Sequence, residues 1–244
     1  MSSDRLTKKQ RRALRQQEVL EKDNSINTSK FSINFKPQTE NQWIAHAEWL
    51  VGNHLLLHGY AGTGKTYIAM AMALKDVLDE RFKSLKIIRS AVPTRDIGFL
   101  PGTAKQKLEV YEQPYKQIAN NLFKRGDAYD ILCNKFMVEF VPTSFIRGTT
   151  LDNCVVLVDE INNMTFHELD SVITRLGDNT QLILCGDHRQ SDLYNQREMT
   201  GIKKFMDIVE RLPDFKRVEF NTRDIVRGKL VKDYIIEKYE QGYV

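Results

Sequence analysis

The sequence predicts an α/β domain, a mostly parallel sheet flanked by helices and organised around one glycine-rich turn. Three observations carry that reading. Leu55-Leu56-Leu57 runs into Gly59-Tyr60-Ala61-Gly62-Thr63-Gly64-Lys65-Thr66 and then into a stretch rich in helix formers, Tyr67 to Leu74. Val155-Val156-Leu157-Val158 is wholly apolar and ends in Asp159-Glu160, and Gln181 to Cys185 is a second apolar run, ending in Gly186-Asp187. Short apolar runs of β-branched and aliphatic residues suit strands covered on both faces, as parallel strands are.

The glycine-rich turn matches G-x-x-x-x-G-K-[ST] in full. Gly59, Gly62 and Gly64 let the backbone turn tightly and aim N–H groups inward, where a side chain would block a phosphate. Lys65 is a point charge for the β- and γ-phosphates of ATP, and the Thr66 hydroxyl is placed to ligate Mg²⁺. The helix that follows turns its first N–H groups and its dipole towards the same phosphates. The expected nucleotide-binding surface is therefore Gly59, Tyr60, Ala61, Gly62, Thr63, Gly64, Lys65, Thr66 and Tyr67.

The 244 residues suit one good-sized domain, expected over 31–244, and 41% hydrophobic with 28% charged residues is ordinary for a globular chain. Of the 36 Lys/Arg and 32 Asp/Glu, eight and four lie in residues 1–30, leaving 28 of each in the remainder. The net charge of +4 thus belongs to the leading segment. With Lys8-Lys9-Gln10-Arg11-Arg12 and Arg15, that segment reads either as a contact for nucleic-acid phosphates or as a solvated, flexible tail. No apolar run is long enough to span a membrane, and the N-terminus is too charged for a secretory signal. Cys133, Cys154 and Cys185 lack C-x-x-C spacing and read as free thiols, which places the expected location in the cytoplasm.

In chain order, Thr39 caps a helix carrying Trp43, Ile44, Ala47, Trp49 and Leu50, with Gln42 three residues on. Gln42 has two readings: the second half of a capping box, or a clamp on the adenine edge similar to the Q motif of helicases. Leu85 to Ile88 is a short strand running into a shaped loop, Arg89 to Gly102, with its prolines and glycines. Residues 104–125 show helical periodicity through Leu108, Tyr111, Tyr115, Ile118 and Leu122, and 136–146 read as a strand and its exit. Arg147 is either a phosphate contact or a surface cation.

Asp159 and Glu160 end a buried strand, a poor place for two acids unless a cation awaits them. Beside a phosphate-binding loop that cation is Mg²⁺, held by Asp159 through a water, and Glu160 becomes the general base for an attacking water. Thr165 and Glu168 form a capping box and need no catalytic role. Gly186-Asp187-His188-Arg189-Gln190 closes the next strand, where parallel sheets place ligands. Gln190 is a candidate sensor of the γ-phosphate and attacking water, and His188 a loop side chain. A helix over 201–212 and a last strand, Lys216 to Phe220, precede Arg223 and Arg227, each either an arginine finger or a surface cation. A terminal amphipathic helix follows, with Leu230, Val231, Tyr234, Ile235 and Tyr239 apolar.

Taken together, the phosphate-binding loop, Arg89 to Gly102, Val158-Asp159-Glu160, Gly186 to Asp192 and Asp224-Ile225-Val226-Arg227 resemble the PhoH family, ATPases found in bacteria and phages. The likeness covers residues 36–240 and departs from the family pattern at Ser90 and Pro93-Thr94-Arg95. It implies a single RecA-like core, akin to one half of a superfamily 1 helicase, with links to RNA and to ring-like oligomers. One core cannot close on a second within this chain, so a homo-oligomer, specifically a hexameric ring with an arginine supplied in trans, is expected. The leading reading is a Mg²⁺-dependent ATPase coupled to RNA or single-stranded DNA. An oligomeric ATPase that remodels a protein partner is the alternative. A kinase is disfavoured because Glu160 supplies a base for water.

Overall fold

The computed structural model describes residues 31–90, 104–187 and 196–242. The basic segment 1–30, most of the loop after Arg89, and His188 and Gln190 lie outside them. The described residues form a six-stranded sheet in the order β3-β2-β4-β5-β1-β6. Its strands are β1 (His54–Gly59), β2 (Ser84–Arg89), β3 (Val138–Pro142), β4 (Cys154–Val158), β5 (Thr180–Gly186) and β6 (Phe215–Phe220). All neighbouring strands are parallel.

Apolar side chains alternate between two cores. Leu55, Leu57, Val155, Leu157, Ile183 and Cys185 face one cluster, and Leu56, Val156, Val158, Leu182 and Leu184 face the other. The first cluster is covered by α1 (Glu40–Leu50), α2 (Lys65–Leu78), α3 (Ala104–Phe123) and α4 (Ala128–Asn134). The second is covered by α5 (Phe166–Ile173) and α6 (Gln196–Val209). Burial on both faces is the reason these strands carry no polar alternation.

Because the strands share one direction, the C-terminal ends of β1, β4 and β5 meet along one edge. His58 is in register with Gly186, and Leu184 with Val158. Connections that cross over neighbouring strands open a crevice there, the usual ligand position in such sheets. Helix α1 is fixed to the core by polar struts. The Gln181 amide donates to the carbonyls of Trp49 and Asn53 at 3.0 and 2.9 Å, and Trp49 Nε1 donates to Asp76 Oδ2 at 2.7 Å.

Four features differ from or refine the sequence reading. Helix α4, only seven residues long, carries too little periodicity to be read from sequence. Of the two readings of Gln42, the capping box with Thr39 is only half formed: Thr39 accepts from the Gln42 N–H, but the Gln42 side chain accepts from Gln38 N instead of Thr39. The box at Thr165 and Glu168 is complete, and Glu168 Oε1 also accepts from Ser90 and Thr143 at 3.0 and 2.7 Å. The terminal helix α7 (Lys229–Glu240) does not bury the expected apolar face, since Leu230 and Tyr234 are 83% and 67% exposed. Cys133, Cys154 and Cys185 are free, and no helix among the described residues is long and apolar enough to cross a membrane.

Gln181→Leu removes the side-chain donor to the Asn53 carbonyl and one of two donors to the Trp49 carbonyl, which keeps Gly52 N at 3.0 Å, so a loss of about 1–3 kcal/mol is expected. Urea unfolding should show a lower midpoint with an unchanged slope.

Candidate nucleotide site

The turn after β1 is pressed against β6. Gly59 has φ +118°, and a Cβ there would lie 2.1 Å from the Phe220 carbonyl oxygen, so only glycine fits. Tyr60 N donates to the same oxygen at 3.1 Å. Gly64 caps α2 in the left-handed region at φ 79°, so the helix begins at Lys65 with its first N–H groups facing the turn. Thr63 is buried and donates to the Tyr60 carbonyl at 2.9 Å. Lys65 Nζ donates to the carbonyls of Gly59 and Tyr60, both at 2.7 Å. Burial lowers the Lys65 pKa, against the pull of Asp187, Cys185 and Asp159.

Asp159 and Glu160 leave β4 in different directions. Asp159 is buried, and its N–H continues the sheet to Ile88 at 2.9 Å. Its Oδ1 accepts from the Thr66 hydroxyl and its Oδ2 from the Tyr115 hydroxyl, each at 3.0 Å. Burial pushes the Asp159 pKa up; these hydroxyls, Arg89 and the Glu160 N–H oppose the shift, and burial wins. Glu160 has φ 53° and ψ 47°, a left-handed conformation costing a non-glycine residue about 1–3 kcal/mol. Its carboxylate pairs with Arg89 at the end of β2, and the Arg89 guanidinium lies over the Tyr111 ring at 5.7 Å. Burial raises the Glu160 pKa more than Arg89 lowers it.

The other expected residues divide. Gln42 is 4% exposed, its Nε2 donating to the Thr63 carbonyl at 3.0 Å while its Oε1 accepts from Gln38 N at 2.9 Å. It therefore braces the turn from α1. Arg227 lies against the turn, its Cγ 2.9 Å from where a Cβ on Gly62 would sit. Val226 N donates to the Gly62 carbonyl at 3.1 Å. Arg223 stands exposed on the short turn Thr222–Asp224, with its N–H bonded to Asn221 Oδ1 at 2.8 Å. Buried Asp224 anchors that turn to α1, accepting from Asn41 Nδ2 at 2.7 Å. Ala61 is half-buried, and Tyr67 packs its ring 6.1 Å from Phe35. Arg147 is exposed.

Sequence reasoning missed four participants. Tyr115 and Tyr111 read only as core positions of a helix, although a tyrosine where phenylalanine would pack implies a partner for its hydroxyl. Arg89 reads as the start of a loop. Helix α7 also reaches the site: the Tyr239 ring stacks 4.1 Å from Tyr60, and its hydroxyl donates to Asp187 Oδ2. No sequence signal pairs residues so far apart.

The donors fit a small hard cation. Thr66 and Asp159 offer oxygen ligands from adjoining elements, and the Asp159 carboxylate is buried against neutral hydroxyls. No cluster of three or more His, Cys, Asp or Glu side chains gathers among the described residues. Mg²⁺ needs none, since it binds through one or two protein oxygens plus phosphates.

Comparison with known proteins shows the family. The family model described as PhoH-like protein matches residues 34–240. A PhoH-like protein of Mycobacterium bovis is 33% identical over 208 residues, covering 84% of this chain and 57% of that protein. A PhoH-like protein of Bacillus subtilis is 29% identical over 225 residues, covering 91% and 69%. The chain thus spans 57% of the length of the mycobacterial relative. The Pif1 helicase of Candida albicans overlays 81% of this chain and 43% of its own with a TM-score of 0.38 and 16% identity, a likeness too loose to bear on function.

Since the folded pKa of Asp159 lies above its unfolded value, the folded state holds the extra proton and stability falls as pH rises through that window. Asp159→Asn removes the buried charge. We expect its Tm at neutral pH to rise by about 2–4 °C, and its stability to fall less between acid and neutral pH than that of the parent, both read by calorimetry.

Proposed function

The chain belongs to the PhoH-like family, and on that premise we propose that it binds ATP with Mg²⁺, hydrolyses it, and couples turnover to RNA or single-stranded DNA as a homo-oligomer. The observation that supports this best is the contact between Thr66 and Asp159, which joins the phosphate-binding loop to the acid strand. The sequence puts the two motifs in one chain; the fold puts the Thr66 and Asp159 oxygens 3.0 Å apart.

In this reading Lys65 exchanges the carbonyls of Gly59 and Tyr60 for the β- and γ-phosphates, beside the N–H groups of the turn and of α2. Thr66 and Asp159 hold Mg²⁺, which offsets charge on the phosphates. Glu160, released from Arg89, accepts the proton of the attacking water, and its raised pKa makes it a better base than an exposed glutamate. Gln190 retains its proposed sensing role. Adenine recognition by Gln42 would use the second amide hydrogen and second carbonyl lone pair, the first of each being engaged. Arg227 lies over its own turn and is assigned to phosphates of the same subunit. Both arginines are exposed, and the contact of Arg227 with its own turn leaves Arg223 as the arginine offered to a neighbour in a ring. Residues 31–244 act as one unit in this scheme, and the basic segment 1–30 adds a salt-sensitive contact for nucleic acid.

Remodelling of a protein partner is the second reading. It is favoured by the equal numbers of acids and bases in residues 31–244, since nucleic-acid binders usually carry a basic surface.

The test is steady-state ATP hydrolysis with and without single-stranded RNA and DNA. Glu160→Gln should lower turnover about a hundredfold or more while nucleotide binding persists. Stimulation by one nucleic acid, falling steeply with salt, supports the motor reading. Turnover indifferent to both favours the protein-remodelling reading. Light scattering with ATP should give a hexamer, and a monomer under all conditions would rule out the ring.

A further inference from the structure

We propose that Tyr115 is a positioning residue for the site: its hydroxyl holds Asp159 Oδ2 back in the core so that Oδ1 faces Thr66 and the metal. The inference rests on the ATPase reading above and deepens it.

An aspartate turns easily about its last bond, because that torsion is broad and nearly two-fold. One hydrogen bond from Thr66 would leave the carboxylate free to swing. Two donors on different oxygens, from α2 and from α3, fix both its plane and which oxygen faces the turn. Tyr115 is itself wholly buried, with its ring 5.8 Å from Phe140, so the hydroxyl has little room to move.

The choice of donor matters. A lysine or arginine touching Oδ2 would neutralise the carboxylate and compete with a cation. A phenol orients it and leaves its charge in place. Groups that orient a metal ligand from behind typically change metal affinity or activity by about 10–100-fold when removed. One helical turn earlier on α3, Tyr111 lies beneath Arg89, the partner of Glu160. The same helix face therefore backs both acids, directly in one case and through an arginine in the other.

The experiment uses the full chain and Tyr115→Phe, which keeps the ring and removes the hydroxyl. Binding of a fluorescent ATP analogue is titrated with Mg²⁺, then repeated in EDTA, and Tm is recorded. The Mg²⁺ concentration at half-maximal effect should rise about 10–100-fold, with affinity in EDTA unchanged. Phe140→Leu disturbs the same packing without touching Asp159; it should lower Tm and leave the Mg²⁺ midpoint where it was. A Tyr115→Phe protein with a lower Tm and the parental midpoint would show that Tyr115 only packs, overturning the proposal. Parent protein that binds nucleotide equally with and without Mg²⁺ would overturn the metal-dependent reading itself, and this proposal with it.

Discussion

At the C-terminal end of β4 a carboxylate sits among apolar side chains, and a charge so placed costs several kcal/mol unless neighbours supply donors. Three elements meet at Asp159 to supply them. Helix α2 brings the Thr66 hydroxyl, α3 brings the Tyr115 hydroxyl, and β2 brings Arg89 within electrostatic range. The parallel sheet makes the meeting possible, because every strand delivers its C-terminal end to the same edge. The site is thus a local instability tolerated by a fold whose two cores are otherwise densely apolar.

What sequence could foresee follows from how locally each feature is encoded. The strands β1, β4 and β5 are legible because burial on both faces leaves an unbroken apolar run. The turn is legible because Gly59 and Gly64 adopt backbone conformations that other residues resist. The acids are legible because a strand that ends in Asp159-Glu160 contradicts its own apolar character.

Features made by tertiary meeting are not legible in that way. The hydroxyl of Tyr115 finds Asp159 across 44 residues, and nothing in the helical period of α3 separates a tyrosine that packs from one that also donates. Gln42 shows how little spacing alone decides. Its spacing from Thr39 fits a capping box, yet its amide turns inward to the Thr63 carbonyl because the turn lies directly beneath α1. Helix α7 misled in a third manner. Its apolar residues suggest a buried face, whereas the structure uses Ile235 and Tyr239 against the turn and leaves Leu230 and Tyr234 in solvent.

The ammonium of Lys65, held by two carbonyls of its own turn, makes binding an exchange. Any anion must draw that ammonium from two charge-assisted bonds, each worth about 1.5–3 kcal/mol. On the proposed reading, a chain of phosphates would repay the loss by meeting the ammonium, the turn's N–H groups and the end of α2 together, where a single small anion would meet fewer of them. The resting hydrogen bonds therefore act as a threshold. On that reading, they would favour a ligand bearing several negative charges in a row over a single small anion.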